Sequence, residues 1–122
     1  MIKEIAFTAY PAADVATLRQ FYVELGVPLG DAMTGEDGRA AYTEGKVGEG
    51  YFALLLDEWL ERQKGSGAGV VIEVDDLEKM SADLRAKGID VSEPMDFPAC
   101  KLANFNDPEG NKVSLHQTTI PH

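Results

Sequence analysis

The sequence predicts an α+β fold of two βαβββ modules, forming a curved mixed sheet with the helices on its convex side. Three observations carry this. Apolar residues recur at helical spacing in two stretches, each preceded by a short apolar strand segment. Asp14 and Asp76 open the two helical stretches, Gly26 and Gly88 close them, and both pairs are separated by the same 62 positions. After each helix come three short segments punctuated by Gly, Pro, Asn and Asp, the signature of strands joined by turns. In one module a lone helix covers one face of the sheet. Two modules side by side leave a concave face free.

Residues 5–9 suit a strand that Tyr10-Pro11 ends, because proline cannot donate to a ladder. Val15, Leu18, Phe21, Tyr22 and Leu25 then form an apolar helical stripe, with Arg19, Gln20 and Glu24 opposite. Asp14 is the expected N-cap and Gly26 the stop. Residues 27–33 and 39–44 read as strands around a turn at 35–38, and 51–56 as the next strand after a glycine-rich stretch at 45–50. Residues 57–64 read as a short helix with Trp59 and Leu60 inward. Gly65-Ser66-Gly67-Ala68-Gly69 reads as a flexible connector, since it lacks the Lys-Ser/Thr of a phosphate loop.

The second module repeats the programme. Residues 70–74 form a strand and 75–87 a helix with Leu77, Met80 and Leu84 on one face, where Asp75 and Glu78 make a capping-box pattern. Residues 89–97, 101–106 and 111–117 read as strands, the last two joined by the turn Asp107-Pro108-Glu109-Gly110. One domain, 1–122, is thus expected, with module 1 over about 1–64 and module 2 over about 65–122.

Composition bounds the function. Hydrophobic residues make up 44% and charged residues 26%, as in an ordinary globular domain. Twenty-one acids against 11 bases give a formal charge of −10, and the bases are scattered singly from Lys3 to Lys112. Nucleic acid and anionic membranes are therefore not expected as partners, because both need clustered Lys and Arg. Cys100 is the lone cysteine, which leaves no intrachain disulfide and no cysteine zinc site. With no long apolar stretch at the start, this points to a cytoplasmic protein.

Three motifs carry a resemblance that spans nearly the whole chain. They are 14–22 with its Phe21-Tyr22 pair before Leu25-Gly26, the strand and helix of 70–88, and Phe105-Asn106-Asp107-Pro108-Glu109-Gly110-Asn111 followed by Leu115-His116-Gln117. Together they resemble the vicinal oxygen chelate superfamily, which holds glyoxalase I, bleomycin-resistance proteins, fosfomycin-resistance enzymes and extradiol dioxygenases. The resemblance implies a homodimer that takes a small-molecule ligand in the concave sheet.

Metal-dependent members resemble one another in a site of four His, Gln or Glu ligands, one from each of four strands. Residue by residue, the match fails. The first position falls on Glu4, the second on a strand with no carboxylate or imidazole (51–56), the third on Gly69 and the fourth on Ser114. No metal and no other cofactor is therefore expected; a rearranged divalent-metal site serving a lyase, isomerase or dioxygenase is the alternative. Side chains two apart share a strand face. Glu4, Ala6 and Thr8 form one such set, Gly69, Val71 and Glu73 another, and Ser114 and His116 a third. In the superfamily register these sets line the cup, so Glu4, Glu73, Ser114, His116 and Phe52 are the candidate ligand-binding residues. Each has a plainer reading: Glu4 in water at a strand start, Glu73 at the rim, His116 structural, and Phe52, like Tyr51 and Trp59, in the core or an interface. The expected function is binding of a small molecule without the usual metal. A further alternative is a non-catalytic protein that sequesters a cationic drug, which the acidic charge would suit.

Overall fold

The structure is a computed structural model that describes residues 1, 3, 5–60, 63, 65 and 69–119; Glu4, His122 and most of the 65–69 connector lie outside this set. The chain divides into two compact units, Met1–Gly67 with Pro108–Asn111, and Ala68–Asp107 with Lys112–His122. The division falls at 67/68, and the 108–111 turn belongs to the first unit.

In the first unit, β1 (Thr8–Ala12) leads to α1 (Val15–Leu25), β2 (Met33–Thr34), β3 (Ala40–Val47), β4 (Gly50–Leu56) and the single-turn α2 (Asp57–Leu60). The strands order as β1-β4-β3-β2, with β1 parallel to β4 and the other pairs antiparallel. The second unit repeats the plan with β5 (Val70–Glu73), α3 (Leu77–Ala86), β6 (Met95–Phe97), β7 (Cys100–Asn106) and β8 (Lys112–Thr118), in the order β5-β8-β7-β6. The α+β class and the two βαβββ modules agree with the sequence.

Helix α1 forms where its ends are satisfied. Asp14 Oδ1 accepts from Thr17 N at 3.0 Å and Oδ2 from Thr17 Oγ1 at 2.8 Å. Gly26 closes it at φ 115°, and Gly26 N and Val27 N both donate to Tyr22 O. The Pro108–Asn111 turn adds a second clamp, since Glu109 accepts from Ala13 N at 2.7 Å and Asp14 N at 3.1 Å. Val15, Leu18 and Tyr22 are buried against the sheet, each worth roughly 1.5–3 kcal/mol. Phe52 completes this core. It is 6% exposed, with its ring 5.4 Å from Tyr10 and 5.1 Å from Tyr22.

Several expectations shift, each for a physical reason. The first strand runs through Tyr10-Pro11 instead of ending there, because β1 is an edge strand of its sheet and proline is tolerated at an edge. Helix α3 is capped by Asp76, whose Oδ1 accepts from Lys79 N at 3.1 Å, so the Asp75–Glu78 capping box does not form. Trp59 is 55% exposed, not inward. The stretches 27–33 and 89–97 are mostly loop, with only Met33–Thr34 and Met95–Phe97 paired. In both, a helix arginine takes the carbonyls that a ladder would use: Arg19 holds Leu29 O and Gly30 O, and Arg85 holds Val91 O and Ser92 O.

Strand β3 also runs on through Gly45 to Val47, where a two-residue turn leads to Gly50. Gly45 is required there, because a Cβ would lie 2.2 Å from the Pro28 carbonyl oxygen. Gly45→Ala is expected to cost about 1–3 kcal/mol through this overlap and to lower Tm by several degrees. Gly50→Ala, whose nearest neighbour would be 3.9 Å away, is expected to leave Tm unchanged. Equal melting curves for the two variants would contradict the packing argument.

Candidate functional site

The open face of the second sheet, opposite α3, is set by strand alternation. Ala103, Phe105, Val113 and Leu115 point toward α3 and are at most 3% exposed. Their neighbours point the other way and align in three rows across the sheet. The middle row runs Met95, Leu102, His116, Glu73; beside it lie Asn104, Ser114 and Val71 on one side, and Phe97, Cys100 and Thr118 on the other. Val71, Phe97 and Met95 are 58%, 51% and 40% exposed. Large apolar side chains open to solvent beside ordered polar groups are the usual composition of a ligand surface.

The polar groups are hydrogen-bonded to one another. His116 Nδ1 lies 2.6 Å from Glu73 Oε1, and Thr118 N donates to Glu73 Oε2 at 2.9 Å. The Thr118 amide, then the His116 ring, hold the Glu73 carboxyl below its ordinary 4.5. An ionised carboxylate only accepts, so Nδ1 carries the proton of the neutral imidazole and Nε2 keeps its lone pair. In the adjacent row Ser114 Oγ donates to Asn104 Oδ1 at 2.6 Å, which leaves the Asn104 amide nitrogen to donate outward.

Of the candidate residues, Glu73 and His116 meet, and Ser114 shares their face. Glu4 lies outside the described residues. Phe52 does not reach an open face; it belongs to the core of the first unit. Thr8 pairs with Phe52 and so shares the helix side of its sheet, contrary to the expectation that it lines the cup. Asn104, Leu102, Met95 and Thr118 N are the additions. None of these had a signal in the sequence, because a backbone N–H has no side-chain pattern and the cross-strand register that aligns the others is not written in any one segment.

The first unit offers different surfaces. On its open face Tyr42 donates to Glu44 Oε2 at 2.9 Å, and burial together with that carboxylate pushes the phenol up to about 12. Beside α2 lies a groove of about 740 Å³ lined by Glu36, Asp37, Arg39, Glu58 and Trp59, among others. Arg39 is bound there by both Asp37 and Glu58, and the Trp59 ring forms an exposed wall.

Of the family's four metal positions, the three that fall on described residues do not fit a metal. Gly69 has no side chain to offer, Ser114 is a poor ligand already committed to Asn104, and the open side of β4 carries Tyr51, Ala53 and Leu55. Among the described residues no three His, Cys, Asp or Glu side chains gather.

The Glu73 contacts also have a signature in pH. A carboxyl whose folded pKa lies below its unfolded value contributes stability that is full above about 4.5 and is lost as pH falls through the lower folded value. The Tm gap between wild type and Glu73→Gln is therefore expected to shrink as pH drops from about 5 to about 3. A gap that stays constant over that range would show that the carboxylate contacts contribute nothing.

Comparison with known proteins agrees with this architecture. The model of the Glyoxalase/Bleomycin resistance protein/Dioxygenase superfamily matches residues 4–115. Among solved structures, the chain is similar to TnmS3, an antibiotic binding protein from Streptomyces sp. CB03234, at 28% identity and TM-score 0.78 over 97% of this chain and 98% of that one. It is also similar to a glyoxalase/bleomycin resistance protein from the same strain, at 29% identity and TM-score 0.74 over 93% and 100%. Lactoylglutathione lyase from Agrobacterium tumefaciens, at 19% identity and TM-score 0.74 over 96% and 95%, shares the fold. No curated protein matches by sequence. With a family match over most of its length, the chain belongs to the Glyoxalase/Bleomycin resistance protein/Dioxygenase superfamily.

Proposed function

We propose that the protein binds a small, largely apolar organic molecule on the open face of the second sheet, without the divalent metal of the glyoxalase-type enzymes. The observation that carries this reading is the set of rows around Val71, Leu102, Met95 and Phe97, which present apolar surface next to Glu73, His116 and Asn104. Apolar contact supplies most of the affinity for such a ligand, and a few fixed polar groups orient it. The likeness to an antibiotic binding protein over nearly the full length of both chains supports a binding role. A homodimer, as the superfamily resemblance implies, is part of the proposal.

A second reading, a cationic ligand, is favoured by the groove beside α2. Its lining sets Glu36, Asp37 and Glu58 against Arg39 alone, next to Trp59. Carboxylates and an indole ring are the groups that hold an organic cation.

One titration separates the two. Anthraquinone, neutral and flat, is expected to shift the backbone amide resonances of Val71, Leu102 and His116 and to bind at least tenfold more weakly to Val71→Asp. Proflavine, flat and cationic, reports the second reading by quenching Trp59. Shifts confined to the first unit with the neutral probe would contradict the proposal. Light scattering of the same sample is expected to give twice 13.2 kDa; a monomer mass would remove the dimer.

A further inference from the structure

We propose that His116 is a general base, a catalytic residue that takes a proton from the acidic C–H of an uncharged planar ligand on the open face of the second sheet, with Glu73 as its positioning residue. This rests on the reading of that face as a binding surface and adds a reaction to it.

Three features of the face support the step. First, the imidazole is held in the tautomer a base needs. Glu73 Oε1 accepts from Nδ1 at 2.6 Å, and the other carboxylate oxygen accepts from Thr118 N at 2.9 Å, so both oxygens are engaged and the pair orients the ring. Nε2, with its lone pair, takes no hydrogen bond from the described residues. Second, on the side of His116 away from Glu73 its row continues with Leu102 and then Met95. A ligand resting on them excludes water from Nε2, and Glu73 is the one charged residue in the three rows of this face. Third, the next row supplies a donor. With Ser114 Oγ on its Oδ1, the Asn104 side chain has its amide N–H groups left for a ligand. Asn104 on β7 is the diagonal cross-strand neighbour of His116 on β8, and such neighbours are about 7–8 Å apart, so base and donor can address opposite ends of the same small molecule.

The step balances without a metal or an oxidant. Nε2 takes the proton, and the C–H electron pair remains on the ligand. The resulting charge moves to an electronegative atom that Asn104 can meet, and the imidazolium returns its proton to water. A positioned base contributes typically 10²–10⁴-fold to such a transfer.

The probe is 5-nitrobenzisoxazole, a neutral planar carbon acid. When a base removes its C–H proton, the electron pair forms a nitrile, the ring opens at the N–O bond and the single product is a coloured cyanonitrophenolate. Two readouts are taken on the full chain: amide shifts of Val71, Leu102 and Thr118 for binding, and phenolate formation for catalysis. The proposal expects shifts on that face and a rate per molecule at least a hundredfold above that of His116→Ala and of His116→Gln. It also expects a wild-type rate that rises with pH through one titration absent from both variants. Glu73→Gln is expected to keep the amide shifts, lose about tenfold in rate and displace the pH profile, whereas a merely structural role would leave the profile in place. Face shifts with equal rates in wild type and His116→Ala would overturn the base and leave the binding surface standing. No face shifts, with a rate no greater than that of His116→Ala, would overturn both.

Discussion

Strand β5 runs parallel to β8 in the register that sets Glu73 opposite His116 and Val71 opposite Ser114, and the candidate site depends on this pairing. A slip of one residue would turn every side chain of β5 to the other face. Glu73 would then point at α3, into surface now held by Leu77, Leu84 and Leu115, where an unpaired carboxylate is costly. The apolar alternation of Val113 and Leu115 thus fixes the core and, as a consequence, the open face. Thr118 N completes the arrangement by closing on Glu73 Oε2.

The two units show how one scaffold carries different surfaces. Both use an aspartate N-cap, Asp14 or Asp76, and both use a helix arginine, Arg19 or Arg85, to hold the loop after the helix. Their open faces have diverged. The first presents Tyr42 bonded to Glu44, with Phe7 packed edge-on at 6.0 Å; the second presents the Glu73–His116 pair. The shared fold places strands and open faces. Chemistry is decided by which residues occupy the outward positions, and at the superfamily's metal positions just before β5 and on β8 those residues are Gly69 and Ser114.

Much of this was legible in the sequence, because helix ends and strand alternation are local properties. Asp14, Gly26 and the spacing of Val15, Leu18 and Tyr22 fixed α1 before any contact was known. That Glu73 and His116 lie on an open face followed from strand alternation and the family register, whereas their hydrogen bond needed the pairing of β5 with β8. Other features depended on contacts distant in sequence. Arg19 and Arg85 removed carbonyls from stretches that read as strands, and Pro11 was acceptable only because β1 is an edge. Phe52 has neighbours on both sides that would suit either face, so the parity of β4 had to come from its pairing with β1. Asn104 entered the site through the register of β7 with β8, which the segment itself does not encode.

The central claim is that Glu73 holds His116 with its proton on Nδ1 and its lone pair on Nε2. Ring nitrogen-15 resonances of His116, recorded on the full chain at a pH where the imidazole is neutral, test it directly. The account predicts a protonated Nδ1 and an unprotonated Nε2 in the wild type, with the preference lost in Glu73→Ala. A proton on Nε2 in both proteins would contradict it.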